Sequence, residues 1–382
     1  MERRISPREH HFFFGYYDLQ PFSKNGKYHL AHKVNFMDRL HMGDDEAEIG
    51  IIELDTLKYS PITATRAWNF QQGSMLQWNP QAPDTEIIYN ALADGEYVTV
   101  TENILTGKKR YADRPVANVS RDGRYGLSIN MSRLYDFRPG YGYATVKDPF
   151  YDENHSKDDG IFLIDMETGK SKMIISMQDI WDFSGSFYGG IDKKMVVNHI
   201  TFNPSANRFL FLPRDFHVPT KQIHHTAIIT ANLDGSDMYL LSDYGWYNSH
   251  YNWKDDETVI FYAKIDGRDR GGELGNFELR DKTRECKMIG RDIFTRDNHM
   301  SYSADGKRLL WDSYPDADMM QSLRITSLDT MQTKSLGKYT SMKPACTDVR
   351  CDLHPRWNTD STSVSFDSTH EGYRGIYVID EV

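Results

Sequence analysis

Apolar and polar residues alternate through short runs along the whole chain, and most runs are bounded by Asn, Asp, Gly or Pro. A period of two puts successive side chains on opposite faces of a strand, so the pattern predicts β-structure from end to end. One unit recurs seven times: an aromatic or apolar residue, a polar turn of the N-x-D-G kind, then an alternating or apolar strand. The copies are QPFSKNGKYHLAHKV from Gln20, LQWNPQAPDTEIIYN from Leu76, NVSRDGRYGLSINM from Asn118, ITFNPSANRFLFL from Ile200, YNWKDDETVIFYA from Tyr251, MSYSADGKRLLWDS from Met300 and PRWNTDSTSVSFDS from Pro355. A third apolar strand usually follows, as in AEIGIIELDT from Ala47 and RGIYVIDEV from Arg374, and then a short fourth, as in GKSKMIIS after Gly169. Four strands per unit make the blade of a β-propeller, so the repeat predicts an all-β, seven-bladed β-propeller.

The anchors Phe22, Trp78, Val119, Phe202, Trp253, Tyr302 and Trp357 are 56, 41, 83, 51, 49 and 55 residues apart. The one long step holds MSRLYDFRPGYGYATVKDPFYDENHSKDD, residues 131–159, read as a binding-loop insertion between the second and third strands of blade three. The last unit stops after its third strand, so its fourth is expected from the N-terminus, with HHFFFGYY at residues 10–17 as the candidate. N- and C-terminal strands would then close the ring and remove its open edges. On this reading residues 1–382 form a single propeller domain, with no helix of consequence and no Pro/Ser-rich linker.

Composition narrows the function classes. With 39% hydrophobic and 13% aromatic residues, 23 of them Tyr, the chain can bury a core and still present amphipathic rings on a binding surface. A net charge of -10 gives no overall attraction to nucleic acid or to an anionic membrane, although local basic patches are compatible with it. Cys286, Cys346 and Cys351 are too few for a disulfide framework and fit a reducing compartment or a metal site better. Neither a signal-peptide core nor a membrane span is present, so a cytoplasmic location and no membrane insertion are expected, or a periplasmic or secreted one where a leader has been removed. Oligomeric state is not specified.

Four successive units carry histidine three positions before the anchor: His199, His250, His299 and His354. Equivalent positions in a propeller face the same end of the channel, and imidazole nitrogen suits a borderline divalent metal. Cys351 lies three residues before His354, and a thiolate there favours zinc. The expected metal site is therefore His250, His299, Cys351 and His354 around one divalent ion, zinc first and manganese or calcium otherwise. Asp348 and Asp352 are further ligands or orienters; the plainer alternative is that these histidines cap blade turns.

A second concentration joins His11, Tyr16 and Tyr17 of HHFFFGYYD with His29 and His32 of HLAHK and with Trp68, Gln71 and Gln72 of WNFQQG. Such groups hydrogen-bond hydroxyls and stack on sugar faces, or else serve as core and strand-pairing residues. The insertion adds Arg133, Tyr135, Arg138, Tyr141 and Tyr143. Arginine grips a carboxylate with two parallel bonds, and tyrosine moves a proton, a combination suited to an acidic sugar. Cleavage of a uronide by β-elimination needs a base for the C5 proton, neutralisation of charge on the carboxylate, and protonation of the C4 leaving oxygen. The predicted activity is thus a lyase on an acidic oligo- or polysaccharide. The alternatives are a glycoside hydrolase, using carboxylates among Asp38, Asp44, Asp45, Glu46 and Glu48, and a non-enzymatic carbohydrate-binding propeller. No G-x-S-x-G, P-loop, H-E-x-x-H or dinucleotide fingerprint occurs.

Through HHFFFGYYD, AWNFQQGSMLQW, RPGYGY and the His299/Cys351/His354 arrangement, the chain resembles the seven-bladed polysaccharide lyases, which include oligogalacturonate and ulvan lyases. The resemblance implies a metal-containing propeller that cleaves uronic-acid glycans by elimination. In oligogalacturonate lyases a histidine of one late blade and a Q-x-x-H-x-H stretch of the next hold the metal; the matching positions are His299, Cys351, His354 and Arg356. Cysteine in place of the first glutamine and arginine in place of the last histidine make the site look more like that of ulvan lyases, with a mainly structural zinc. The resemblance then implies His11 and His32 as acid/base residues, Tyr141 beside them, and Arg133 or Arg138 for carboxylate neutralisation, with Tyr16, Tyr17, Trp68, Gln71, Gln72 and Tyr143 binding sugar.

Overall fold

Three of the seven repeats use the same turn. Ser23, Ser120 and Ser303 each donate a hydroxyl hydrogen bond to the Asn25, Asp122 or Asp305 side chain two residues on, at 2.8, 2.6 and 2.6 Å. The following Gly26, Gly123 and Gly306 take φ of 70, 72 and 69°, a left-handed backbone that a side chain would strain. Such turns fold each unit back on itself as an antiparallel hairpin.

The protein, seen in a computed structural model that describes residues 1–216, 225–265 and 273–382, has seven four-stranded antiparallel sheets arranged radially as a β-propeller. Blade one runs His11–Phe13, Tyr28–Val34, Ala47–Glu53 and Tyr59–Thr65 from the channel outward. Blade seven runs Arg356–Trp357, Ser363–Ser368, Gly375–Asp380 and finally Glu2–Arg4. The anchors tie neighbouring blades together. The indoles of Trp78, Trp253 and Trp357 donate to the carbonyls of Pro21, Thr201 and Ser301 in the preceding blade, at 3.0, 3.3 and 3.3 Å. Apolar faces of adjacent sheets form the core, and each indole buried at its edge is satisfied by a carbonyl of the neighbouring blade.

Two expectations need correction. N- and C-terminal strands do close the ring, but the closing strand is Glu2–Arg4, with Arg3 opposite Val378, whereas His11–Phe13 is the innermost strand of blade one. Burial explains the exchange: Phe12 and Phe13 are inaccessible to solvent and belong beside the channel, while Arg3 and Arg4 sit at the rim, paired with Asp380 and Glu371. Short helices also occur. The 131–159 segment lies between the second and third strands of blade three and opens with α1, Met131–Phe137, capped by the Asn130 side chain on the Arg133 amide. A second helix, α2, Met177–Ser184, starts at a reciprocal Ser176/Asp179 capping box. Among the described residues no helix is long and apolar enough to cross a membrane.

Candidate metal centre and active site

Blade one positions the site by leaving its own sheet. Between Phe13, paired with His32, and Phe22, bridged to His29, the chain departs from the inner edge and crosses toward blades four to seven. Gly15 makes the crossing feasible: its φ is 141°, and a Cβ there would stand 2.8 Å from the Gln72 carbonyl oxygen. Tyr16 then stacks on His199 with centroids 5.0 Å apart and meets His354 edge-on at 4.9 Å. Tyr17 packs on His299 at 5.2 Å and donates its hydroxyl to the Tyr251 carbonyl at 2.7 Å. The histidines of four blades thus converge on two buried tyrosine rings.

Within that cluster, His299, His354 and Asp352 place ligand atoms within 4.8 Å of one another, all three residues buried. Hydrogen bonding fixes which nitrogens face inward. His299 Nδ1 lies 2.9 and 3.0 Å from the two Asp312 oxygens, and His354 Nδ1 lies 3.0 Å from the Gly15 carbonyl. A carboxylate and a carbonyl only accept, so both Nδ1 atoms carry the proton and both Nε2 atoms keep a free lone pair. Neither Nε2 has a hydrogen-bond partner, nor does either Asp352 oxygen. Arg350 Nε approaches Asp352 Oδ2 to 2.8 Å, close enough for charge pairing but out of line for a hydrogen bond, so the carboxylate lone pairs stay available. Burial, reinforced by neighbouring imidazoles, holds His299 and His354 well below the ordinary histidine pKa and keeps them neutral. Buried polar atoms left unsatisfied are costly, and two imidazoles with one carboxylate at this separation form a donor set that fits a divalent metal. Asp312 supplies the outer support that such ligands usually have.

Cys351 stands outside this group. Its thiol is buried, with Asp352 carbonyl 3.8 Å away, and burial pushes it up to about 12, so it remains protonated. Asp352, its neighbour in sequence, occupies the place expected for it. His250 packs 4.0 Å from His299, centroid to centroid, but both its nitrogens are directed elsewhere: Nδ1 to Asp297 Oδ1 at 2.9 Å and Nε2 to the Tyr314 hydroxyl at 3.4 Å. Burial raises the Asp297 carboxyl, yet His250 and Ser249 outweigh it and hold the group below the usual range.

Arginines cluster beside these rings. Arg214, from strand Arg208–Asp215 of blade four, is buried with Nε and Nη1 unpartnered, and burial together with nearby Arg138 lowers it to about 10. Arg350 donates to the Tyr141 hydroxyl at 3.0 Å, and the Arg138 guanidinium lies 4.3 Å over the Tyr141 ring. Tyr141 in turn meets His199 edge-on at 5.4 Å, which brings the Pro139–Tyr141 turn of the insertion into the site. Gln72 bonds His199 Nδ1 at 3.3 Å, while Gln71 donates to the carbonyls of Asp348 and Arg350 at 3.3 and 3.0 Å.

The remaining expected residues are engaged in holding the fold. His32 donates to the Phe14 carbonyl and accepts from the Ser74 amide, at 2.8 and 3.1 Å, and burial lowers it to about 3. His11 accepts the Arg374 amide at 3.3 Å beside the ring closure. Arg133 spends every nitrogen on Asp148 and the carbonyls of Met195, Phe150, Glu153 and Asn154. Trp68 caps the Asp45 carbonyl from the core at 2.9 Å, and Tyr143 bonds Asn90 at 2.8 Å. Of the acidic run in blade one, Asp45, Glu46 and Glu48 pair with Arg39, Arg66 and Lys33.

Asp312, Asp297, Tyr314, Arg214 and Arg350 escaped the sequence reading. For Asp312 a signal existed: Asp312 in LLWDS, Asp367 in VSFDS and Asn90 in IIYNA occupy the same register in second strands. Each accepts an amide beside the next blade's inner strand, from His354, Phe14 and Val116 at 3.2, 3.3 and 2.8 Å. Arg214 and Tyr314 follow no repeat and carry no such signal.

No family model and no curated protein matches the chain. Solved structures do. An oligogalacturonate lyase in complex with manganese superposes with a TM-score of 0.70 at 14% identity, over 100% of this chain and 93% of that one. An oligogalacturonate lyase from Vibrio parahaemolyticus gives 0.68 at 15% identity, over 99% and 93% of the two chains. The β-propeller domain of the trilobed protease from Pyrococcus furiosus gives 0.51 at 12%, over 92% and 88%. At these identities what is shared is the fold.

Proposed function

We propose that the protein is a lyase that cleaves a uronic-acid-containing oligo- or polysaccharide by β-elimination. One observation carries the reading: a metal-competent His299/His354/Asp352 group, the Asp297-supported His250 and the unpartnered Arg214 meet at one end of the channel. Arg214, with Arg138 beside it, receives the substrate carboxylate, an anionic acceptor for the empty donors of a buried guanidinium. His250 takes the C5 proton on Nε2; Asp297 fixes its tautomer and stabilises the imidazolium that forms. The C5–H electron pair becomes the C4=C5 double bond as the C4–O bond breaks. Tyr314, whose hydroxyl faces the same nitrogen and whose burial raises it well above the ordinary phenol, stays protonated and hands its proton to the leaving oxygen. These roles go to His250, Arg214 and Tyr314, which stand beside the candidate metal group, whereas His32 and Arg133 have their polar atoms engaged in the fold and His11 accepts the Arg374 amide at the ring closure. Tyr141 holds Arg350 and lines the site.

A divalent cation held by His299, His354 and Asp352 would supply Lewis-acid stabilisation of negative charge near the carboxylate. With nitrogen and oxygen donors and no sulfur, zinc loses the preference Cys351 would give it, and manganese fits equally well. The likeness to oligogalacturonate lyases supports the substrate class through fold alone. Incubation with a panel of oligouronides, followed by ultraviolet absorbance of the conjugated product, tests the reading. Absorbance that rises with wild type and is lost in His250→Ala supports it. New reducing ends without the chromophore favour a hydrolase, and binding without turnover favours a carbohydrate-binding propeller.

A further inference from the structure

Tyr247 occupies a backbone position that a tyrosine should avoid. It follows the short turn Tyr244–Trp246 with φ 49° and ψ 63°, the left-handed region where Gly or Asn would sit at little cost and a bulky residue is strained. Its neighbours force the conformation. Trp246 is buried in the core between blades four and five, and Asn248 is buried with its amide nitrogen donating to the carbonyls of Thr226 and Asp243 at 2.6 and 2.8 Å. With the chain pinned on both sides, the Tyr247 side chain is turned outward and is 50% exposed. Backbone preference does not account for an aromatic ring here, and strained positions of this kind cluster at binding sites.

The surroundings indicate what the ring meets. Two residues on, Ser249 donates to Asp297 at 2.7 Å, and His250 Nδ1 lies 2.9 Å from the same carboxylate, so Tyr247 opens the turn that carries the His250 pair; Arg138 and Arg214 also act on its hydroxyl. A second half-exposed ring, Phe187, lies beside the same turn, 3.9 Å from where a Cβ on Gly245 would be and 5.2 Å from the Tyr244 ring.

We propose that Tyr247 is a sugar-stacking platform that binds the ring adjoining the uronide whose carboxylate Arg214 holds. This rests on the lyase reading and extends it, since the site then requires an oligosaccharide of at least two residues. The positive charge below the platform makes that oligosaccharide acidic, and Phe187 continues the apolar track outward for longer chains.

The test compares Tyr247→Gly, Tyr247→Asn, Tyr247→Phe and wild type, with trigalacturonate and galacturonate as acidic probes and cellotriose as a neutral one, by calorimetric binding and by initial rates. Gly and Asn relieve the strain, so their Tm should rise by about 1–2 °C while KM or Kd for the trisaccharide rises about tenfold and that for galacturonate does not change. Tyr247→Phe should stay within about threefold of wild type, because it keeps the stacking face. A Tyr247→Gly protein that handles the trisaccharide as wild type does overturns the platform and leaves the lyase reading intact. A wild type that binds cellotriose, with Tyr247→Gly weakened, keeps the platform and removes the uronide. A wild type that binds no probe overturns both.

Discussion

Asp312→Asn separates metal support from fold. The Asp312 carboxylate accepts the His299 amide at 2.9 Å, His299 Nδ1 at 2.9 Å and the His354 amide at 3.2 Å, joining both candidate ligand strands through one side chain. Asparagine keeps the shape but turns one oxygen into a donor, which faces other donors and leaves one of these groups unsatisfied. A buried group stripped of its partner costs about 1–3 kcal/mol. For 382 residues, unfolding entropy is roughly 0.8 kcal/mol/K, so Tm should fall by only about 1–4 °C. Metal affinity should fall further in proportion. His299 loses the acceptor that fixes its tautomer, and loss of such a support typically weakens binding about 10–100-fold. The assay is competition against a chromophoric chelator with manganese and with zinc, alongside melting curves with and without EDTA. Wild-type affinity for both ions in a folded Asp312→Asn protein would refute the assignment of Asp312 as the group that orients His299.

Three further outcomes follow from the same geometry. Arg214→Met removes two unsatisfied buried donors, so melting should be unchanged or slightly higher while kcat/KM on an acidic oligosaccharide falls about 10–100-fold; a normal rate would remove Arg214 from carboxylate binding. Asp18 is raised by burial from 3.8 to about 6, above its unfolded value, so the stability it allows is full below about pH 4 and is lost as pH climbs through 6, a penalty of about 3 kcal/mol at neutral pH. Asp18→Asn should therefore melt higher than wild type at pH 7.5 and equal to it near pH 4, read by scanning calorimetry. Arg133→Ala breaks a buried ion pair with Asp148 and should lower stability by about 3–5 kcal/mol in urea titrations, with activity per folded molecule retained.

The seven blades were legible because each repeat carries its own turn chemistry and anchor, as Ser303–Gly306 and Trp357 illustrate. Ring closure was assigned to the wrong segment because Glu2–Arg4 is short and polar, held by register and rim ion pairs rather than by an apolar pattern. The convergence of His199, His250, His299 and His354 followed from repeat position alone. Their division of labour did not: whether an imidazole faces a carboxylate, a carbonyl or open space depends on Asp297, Asp312 and Gly15, which come from other strands and loops. Arg133 looked suited to a substrate carboxylate because it lies in the insertion, yet the insertion folds back and takes all its donors, while Arg214 in a regular strand is left without partners for two of its nitrogens.

The central claim is elimination at a uronide, and mass spectrometry of the cleavage products tests it most directly. The account predicts that every fragment carrying a new non-reducing end is lighter by one water than the hydrolysis product and bears a conjugated uronide, and that His250→Ala forms neither. Fragments of full hydrolytic mass from the wild-type protein would contradict it.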